Sequence, residues 1–196
     1  KEMKTGKLDI VCGDILTWEF NSQVSQVKNY LKRGDYKVVA NIPYYITGEL
    51  LRLFLSGDFQ PQSMTLLVQK EVAERIAAHD GKESILSISV KVYGTPVYVQ
   101  TVLAREFLPP PKVDSAILHI GDISKDFFKD IDERAFFSMV KTGFAHKRKL
   151  LTGNLKQAAP PEKLKKAFET CKISITARAE TLSLGEWKCL TKEITP

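Results

Sequence analysis

The chain is poor in the residues that staple or metallate small folds. Its 196 residues include three cysteines and three histidines. Cys12, Cys171 and Cys189 stand far apart, with no Cys-x-x-Cys pair. An odd, sparse set of this kind argues against a disulfide framework and against zinc, and it fits a reducing cytosol. His79, His119 and His146 show no ligand spacing, so no metal is expected. No apolar run reaches the length of a membrane span, and no signal peptide opens the chain. These gaps lead to the expectation of a cytoplasmic, monomeric globular protein.

What is present is ordinary globular material, 43% hydrophobic and 27% charged, enough for one sizeable core with a small second domain. The net charge of +6 is unevenly spread. Residues 1–120 carry 14 Lys and Arg against 13 Asp and Glu, whereas residues 121–196 carry 15 against 10. Within 141–172 the count is 9 against 2. A solvated lysine-rich surface is the plainer account of such numbers. A basic half on a neutral half also reads as a nucleic-acid footprint at one end of the molecule. The chain begins at Lys1 rather than Met and enters a strand almost at once, as a fragment would.

Residues 8–12 read as a buried strand closed by Gly13-Asp14. Residues 21–32 carry Val24, Val27 and Leu31 at helical spacing. A second strand is predicted over 37–40. A helix capped by Thr47 comes next, carrying Leu50, Leu51, Phe54 and Leu55 to about Gly57. A third strand is predicted over 64–68, then a helix over 70–79 with Val72, Ala73, Ile76 and Ala77 inward, stopped by Asp80-Gly81. Residues 85–92 read as helical despite their β-branched members. Strands over 97–104 and 115–120 are joined by the stiff segment Phe107-Leu108-Pro109-Pro110-Pro111. Strands alternating with helices imply an α/β fold with a parallel sheet covered on both faces, here ending in an antiparallel hairpin at one edge. That design resembles the Rossmann-like sheet of class I methyltransferases, in which ligands sit outside the carboxyl ends of the strands. Asp14, Asn41 and Gln69 fall there.

After residue 120 only helices are expected. Phe136, Phe137, Val140 and Phe144 make one stripe. Pro161 suits a first helical position ahead of Leu164, Ala167, Phe168 and Cys171. Ser183 and Glu186 form a capping box before Trp187, Leu190 and Ile194. The expected division is a catalytic domain over 1–120 and a helical domain over 121–196.

Three places carry residues suited to holding a flat base. Asn41-Ile42-Pro43-Tyr44 puts an amide, a proline and an aromatic at the mouth of a strand. Asn41 offers a side-chain carbonyl, Pro43 stiffens the turn, and Tyr44 offers a face for stacking. Alone, the tetrapeptide is equally an ordinary strand-to-helix loop. Asp14 offers a carboxylate for an amino group, or it is simply a turn residue. Phe107 on its proline-rich loop could face Tyr44 across a base, or it is a core residue of the hairpin.

The chain resembles the small-subunit ribosomal RNA adenine dimethyltransferase family. The matching segments are Gly13-Asp14-Ile15-Leu16, Ala40-Asn41-Ile42-Pro43-Tyr44-Tyr45-Ile46, Gln69-Lys70-Glu71-Val72-Ala73-Glu74-Arg75, and Phe107 through Pro109-Pro110-Pro111-Lys112-Val113-Asp114-Ser115. In the helical part they are Phe144-Ala145-His146-Lys147-Arg148-Lys149 with Asn154-Leu155, and Arg178-Ala179-Glu180-Thr181-Leu182. They run in family order along nearly the entire chain.

The resemblance implies S-adenosylmethionine as methyl donor and two adjacent adenines of small-subunit rRNA as targets. It implies donor contacts from Asp14, Ile15 and Asn41. Asn41 would hold the target amine, a carbonyl of Ile42 or Pro43 would accept from it, and Tyr44 and Phe107 would stack on the base. Lys141, Lys147, Arg148, Lys149 and Lys156, with Lys163, Lys165 and Lys166, would grip RNA phosphates. The family's glycine-rich donor loop, its ribose-binding acid and its first sheet strands would precede Lys1, so this chain alone is expected to bind the donor poorly. Ser84-Ile85 stands where the family tends to show Tyr-Gly, and His146-Lys147 where Gln-Arg is more typical. Competing expectations are a large-subunit rRNA adenine methyltransferase and a non-catalytic RNA-binding assembly factor.

Overall fold

A computed structural model of the chain describes residues 12–17, 36–78 and 80–195. The predicted helix over 21–32 and nearly all of the strand over 8–12 lie outside the described residues. Among the described residues the sheet has four strands: β1 (Lys37–Asn41), β2 (Ser63–Gln69), β3 (Thr95–Val102) and β4 (Ser115–Gly121). Their order is β1-β2-β4-β3. The first pair is parallel and the other two are antiparallel. The predicted hairpin is present at one edge of the described sheet, with its second strand inside and its first outermost. Hydrophobic alternation explains the choice. Ala116, Leu118 and Ile120 of β4 are wholly buried, whereas Thr95, Val97 and Val99 of β3 are exposed. β3 also carries Pro96 and a register shift between Tyr98 and Gln100, features suited to a sheet edge.

Helices connect and cover these strands. α1 (Thr47–Ser56) buries Leu50, Leu51, Phe54 and Leu55 as predicted and stops before Gly57. Thr47 is not its cap. It is the first helical residue, and its hydroxyl donates to the Tyr44 carbonyl at 3.0 Å. α2 (Lys70–Ala77) directs Ala73 and Ile76 inward and ends on Ala78 in a left-handed conformation (φ 53°), ahead of the predicted Asp80-Gly81 stop. α3 (Ile85–Lys91) forms despite its β-branched residues, because Ser84 and Ser87 exchange side-chain-to-backbone bonds across its first turn.

Beyond β4 the described chain is helical: α4 (Glu133–Gly143), α5 (Leu151–Leu155), α6 (Pro161–Thr170) and α7 (Leu184–Ile194). Pro161 occupies the first turn of α6, and the Ser183–Glu186 box caps α7, both as predicted. Two junctions hold this part to the sheet. Tyr93, Phe127, Phe128, Phe136 and Phe137 pack with ring centroids 5.1–6.3 Å apart. The Tyr93 hydroxyl donates to Glu133 Oε1 at 2.6 Å, and burial and that carboxylate hold its pKa well above the tyrosine range. At the second junction the Glu83 N–H donates to the Glu180 carbonyl at 2.8 Å, and Lys82 lies 3.7 Å from the Glu180 carboxylate. The buried apolar residues of both parts belong to one cluster.

The structure also corrects the reading of the cysteines. Cys171 and Cys189 are joined in a disulfide, with Cα atoms 5.7 Å apart. The two cysteines stand 18 residues apart, and only the packing of α6 on α7 brings them together. Sequence spacing carries no sign of that contact. On the outside of α7, Lys188 and Lys192 both bond Asp130, and their two hydrogen bonds draw its carboxyl down to about 2.

Gly143 ends α4 with no room for a side chain. A Cβ there would overlap the Trp187 ring and press on Leu151. Gly143→Ala is expected to cost about 1–3 kcal/mol by overpacking. Urea unfolding of the two proteins checks this, the expected result being a lower midpoint at an unchanged slope.

Candidate active site

Strand register brings four residues to one end of the sheet. Asn41 closes β1 opposite Leu67, Gln69 closes β2 opposite Ser115, and Ser115 opens β4 opposite Val102 of β3. After Asn41 the chain turns sharply. Ile42 is buried and acts as an apolar plug. Pro43 is extended (φ −57°, ψ 132°), and a single 3-10 turn, Tyr44–Ile46, leads into α1. The Ile46 N–H donates to the Pro43 carbonyl at 3.2 Å. This local chemistry leaves the Asn41 amide and Pro43 exposed and the Tyr44 ring half-buried.

Tyr44 is fixed by more than its backbone. Its hydroxyl and the Ser115 hydroxyl share a hydrogen bond of 2.7 Å. Ser115 is wholly buried. The loop carrying Phe107 is tied to the same place. Asp114 Oδ1 accepts the Ala104 N–H at 2.9 Å, and the Asp114 carbonyl accepts the Lys70 N–H at 3.0 Å. Ala104 opens a 3-10 turn, Ala104–Glu106, and its carbonyl accepts the Phe107 N–H at 3.2 Å. Phe107 is half-buried, while Leu108 beyond it is 99% exposed and Tyr45 is 88% exposed. The Asn41–Tyr44 segment and the Phe107 loop are therefore both anchored at the start of β4, the rim of the sheet.

Asp14 behaves as a turn residue. Its Oδ1 accepts the Leu16 N–H at 2.9 Å, and its carbonyl accepts from the Thr17 hydroxyl at 3.2 Å. Ile15 and Leu16 pack against the core and anchor this turn. The second carboxylate oxygen has no partner among the described residues. No hydrogen bond among the described residues joins the Asp14 turn to the Asn41–Tyr44 segment.

Lys147, Arg148 and Lys149 lie on the loop between α4 and α5. They are exposed, as are Lys141 and Lys156, and none of the five is ion-paired among the described residues. Asn154 holds this loop from beneath. It is buried, and its Nδ2 donates to the Gly143 carbonyl at 2.5 Å and to the His146 carbonyl at 3.2 Å. Lys163 is less free, because its ammonium donates to the Ile194 carbonyl at 2.8 Å. Lys147 borders a groove of about 820 Å³ between α2, α3 and the Ala179–Glu180 turn. Lys141 borders a second, of about 650 Å³, between α1, α3 and α4, rimmed also by Arg52 and Arg134.

Sequence reasoning gave no role to Asp114, Ser115 or Asn154. The signal was present for the first two, since a Val-Asp-Ser run at a strand start places two polar side chains beside the proline loop.

The described sheet is Rossmann-like, its last antiparallel pair formed by inserting β4 between β2 and β3, as in class I methyltransferases. The chain belongs to the ribosomal RNA adenine dimethylase family, whose model matches residues 1–195. It is 42% identical over 160 residues to ribosomal RNA small subunit methyltransferase A of Dehalococcoides mccartyi (strain CBDB1), covering 81% of this chain and 55% of that protein. It is 36% identical to the protein of the same name from Nostoc punctiforme, covering 97% of this chain and 68% of that protein. The chain thus spans about half to two thirds of the length of these relatives. Among solved structures, a dimethyladenosine transferase from Plasmodium falciparum superposes with a TM-score of 0.69 at 25% identity, over 79% of this chain and 65% of that one. The 23S rRNA methyltransferase ErmE gives 0.69 at 22% identity, over 95% and 71%, and shares the fold.

Removing the Asn154 amide takes a donor from each of two carbonyls, of which that of His146 keeps the Lys149 N–H, and loosens the basic loop. Asn154→Ala is expected to lower stability by about 1–3 kcal/mol. Thermal melts check the effect.

Proposed function

We propose that the chain is the catalytic and RNA-binding part of an enzyme that methylates N6 of two adjacent adenines in small-subunit rRNA during ribosome assembly. The names of its relatives support the substrate. The observation that carries the reading is the joint anchoring of the Asn41–Tyr44 segment and the Phe107 loop at β4, through Tyr44–Ser115 and Ala104–Asp114. In this reading residues 1–120 form the catalytic domain and residues 121–196 the RNA-binding domain. The protein works as a cytoplasmic monomer on the small-subunit precursor.

The residues at the rim suit the chemistry. S-adenosylmethionine, when bound, supplies an electrophilic methyl group on a sulfonium. The Asp14 carboxylate oxygen that has no partner among the described residues and the exposed Asn41 amide are acceptors of the kind an adenine amino group needs, and Ile15 adjoins Asp14 in sequence. These three residues are the ones we place against the cofactor.

An adenine amino nitrogen is a weak nucleophile because its lone pair is delocalised into the ring. The Asn41 carbonyl accepts one of its hydrogens. Pro43's carbonyl already accepts the Ile46 N–H, so we assign the second acceptor to the Ile42 carbonyl. Two acceptors favour a pyramidal nitrogen with its lone pair aimed at the methyl. Tyr44 and Phe107 stack on the extruded base, each stack contributing about 1–3 kcal/mol. Catalysis is then mainly positioning and electrostatics. The proton leaves to solvent after transfer, so no strong base is required. The base is drawn out of its stack to reach the rim, while Lys141, Lys147, Arg148, Lys149 and Lys156 hold phosphates.

The test is transfer of radiolabelled methyl from S-adenosylmethionine to purified small and large subunits by the protein that carries this chain. Incorporation into small-subunit rRNA is expected, and Asn41→Ala is expected to abolish it with RNA affinity nearly intact. Substantial turnover by that variant, or labelling of large subunits alone, removes the assignment. Neutralising Lys147, Arg148 and Lys149 together is expected to weaken RNA binding and to flatten its dependence on salt, the slope falling by about 0.7–0.9 for each phosphate released from the protein. A binding series at several salt concentrations reads that slope.

A further inference from the structure

We propose that Asp114 and Ser115 are a pair of positioning residues that set the gap between the Tyr44 and Phe107 rings. The proposal rests on the adenine-binding reading above and goes beyond it, because these residues touch no substrate.

The Ser115 hydroxyl is wholly buried, and its one hydrogen-bond partner among the described residues is the Tyr44 hydroxyl. Tyrosine on a half-open rim ordinarily satisfies its hydroxyl with water. Here it is paired to a group on the central strand of the sheet. A buried serine hydroxyl left alone is costly, so each group holds the other. The tether stops the Tyr44 ring from swinging away from the rim. It also engages the hydroxyl, which leaves the ring face of Tyr44 as the surface offered to a base.

Asp114 works on the other ring in two steps. Its carboxylate holds the Ala104 N–H, and the Ala104 carbonyl holds the Phe107 N–H. The backbone of Asp114 is itself held by the Lys70 N–H at the start of α2. One dipeptide thus fixes both aromatic-bearing segments to the same strand end. The three prolines after Leu108 stiffen the rest of the loop. The gap for a base is set before RNA arrives, and the entropy of ordering the two segments is met in folding rather than in binding.

The experiment uses the chain and two single-stranded RNAs. One carries a single 2-aminopurine between uridines, and the other carries an abasic site at that position. The wild-type chain is expected to quench the fluorescence and to bind the first RNA roughly tenfold more tightly than the second. Ser115→Ala is expected to reduce that ratio roughly threefold and to lower the quenching, with affinity for the abasic RNA unchanged. Tyr44→Phe, which keeps the ring and removes only its hydroxyl, is expected to match it, and the double variant to lose no more than either alone. Ser115→Thr and Asp114→Asn keep a hydroxyl and an acceptor and are expected to behave as wild type, while Asp114→Ala is not.

Unchanged quenching in Ser115→Ala and Tyr44→Phe overturns the positioning role and leaves the adenine reading standing. An equal loss of affinity for both RNAs shows a general structural effect and also overturns it. A wild-type chain that binds both RNAs alike without quenching removes the adenine reading itself, and the positioning role with it.

Discussion

The first residues of β4 are the point on which the rest of the molecule turns. This strand makes both antiparallel pairings of the sheet, with β2 on one side and β3 on the other. Its buried face, Ala116, Leu118 and Ile120, sits in the core. Any shift of its register by one residue would turn that face to solvent. The same register sets where Ser115 and Asp114 stand at the rim. Core packing, a non-directional force, is thereby converted into the fixed placement of two polar groups. Local loop chemistry alone would not hold Tyr44 and the Phe107 loop together, since the two segments lie more than sixty residues apart.

Much of this was legible in the sequence where local rules govern. Pro161 and the Ser183–Glu186 box mark helix starts whose chemistry is complete within four residues. The helix at Ile85 was expected despite its β-branched residues, and the Ser84–Ser87 exchange that offsets their modest cost emerged only in the structure. The burial alternation of β4 separates it from the more polar β3. What the sequence hid depends on distance in space. The Cys171–Cys189 contact needs two helices to pack. The cap expected of Thr47 failed because the 3-10 turn runs directly into α1, which makes Thr47 a helical residue whose hydroxyl donates back to the Tyr44 carbonyl.

The rim shows the same division. Asn41, Tyr44 and Phe107 stood out because an amide, a proline and rings beside strand ends carry their chemistry in their side chains. Asp14 was readable both as a turn residue and as an acceptor, and the structure gives one oxygen to the turn. Asp114 and Ser115 stood out only as members of a matching segment. Their significance lies in their partners, Ala104 and Tyr44, and no pattern in the sequence announces a pairing of that range.

The basic half obeys a related constraint. Charge alone attracts RNA from any direction, and a flexible lysine-rich tail would serve for that. Here the cations sit on a loop that is anchored from below. Asn154 holds two of its carbonyls, the Leu151 N–H donates to the Ala177 carbonyl at 2.9 Å, and Phe144 stacks on buried Trp187 with centroids 5.8 Å apart. The Glu83–Glu180 bond and the aromatic junction at Tyr93 then tie that part of the chain to the sheet. Under the proposed function, a phosphate held at the loop would stand at a set distance from the rim. Electrostatic attraction, which carries no sequence information by itself, would then measure where along the strand a base meets the rim.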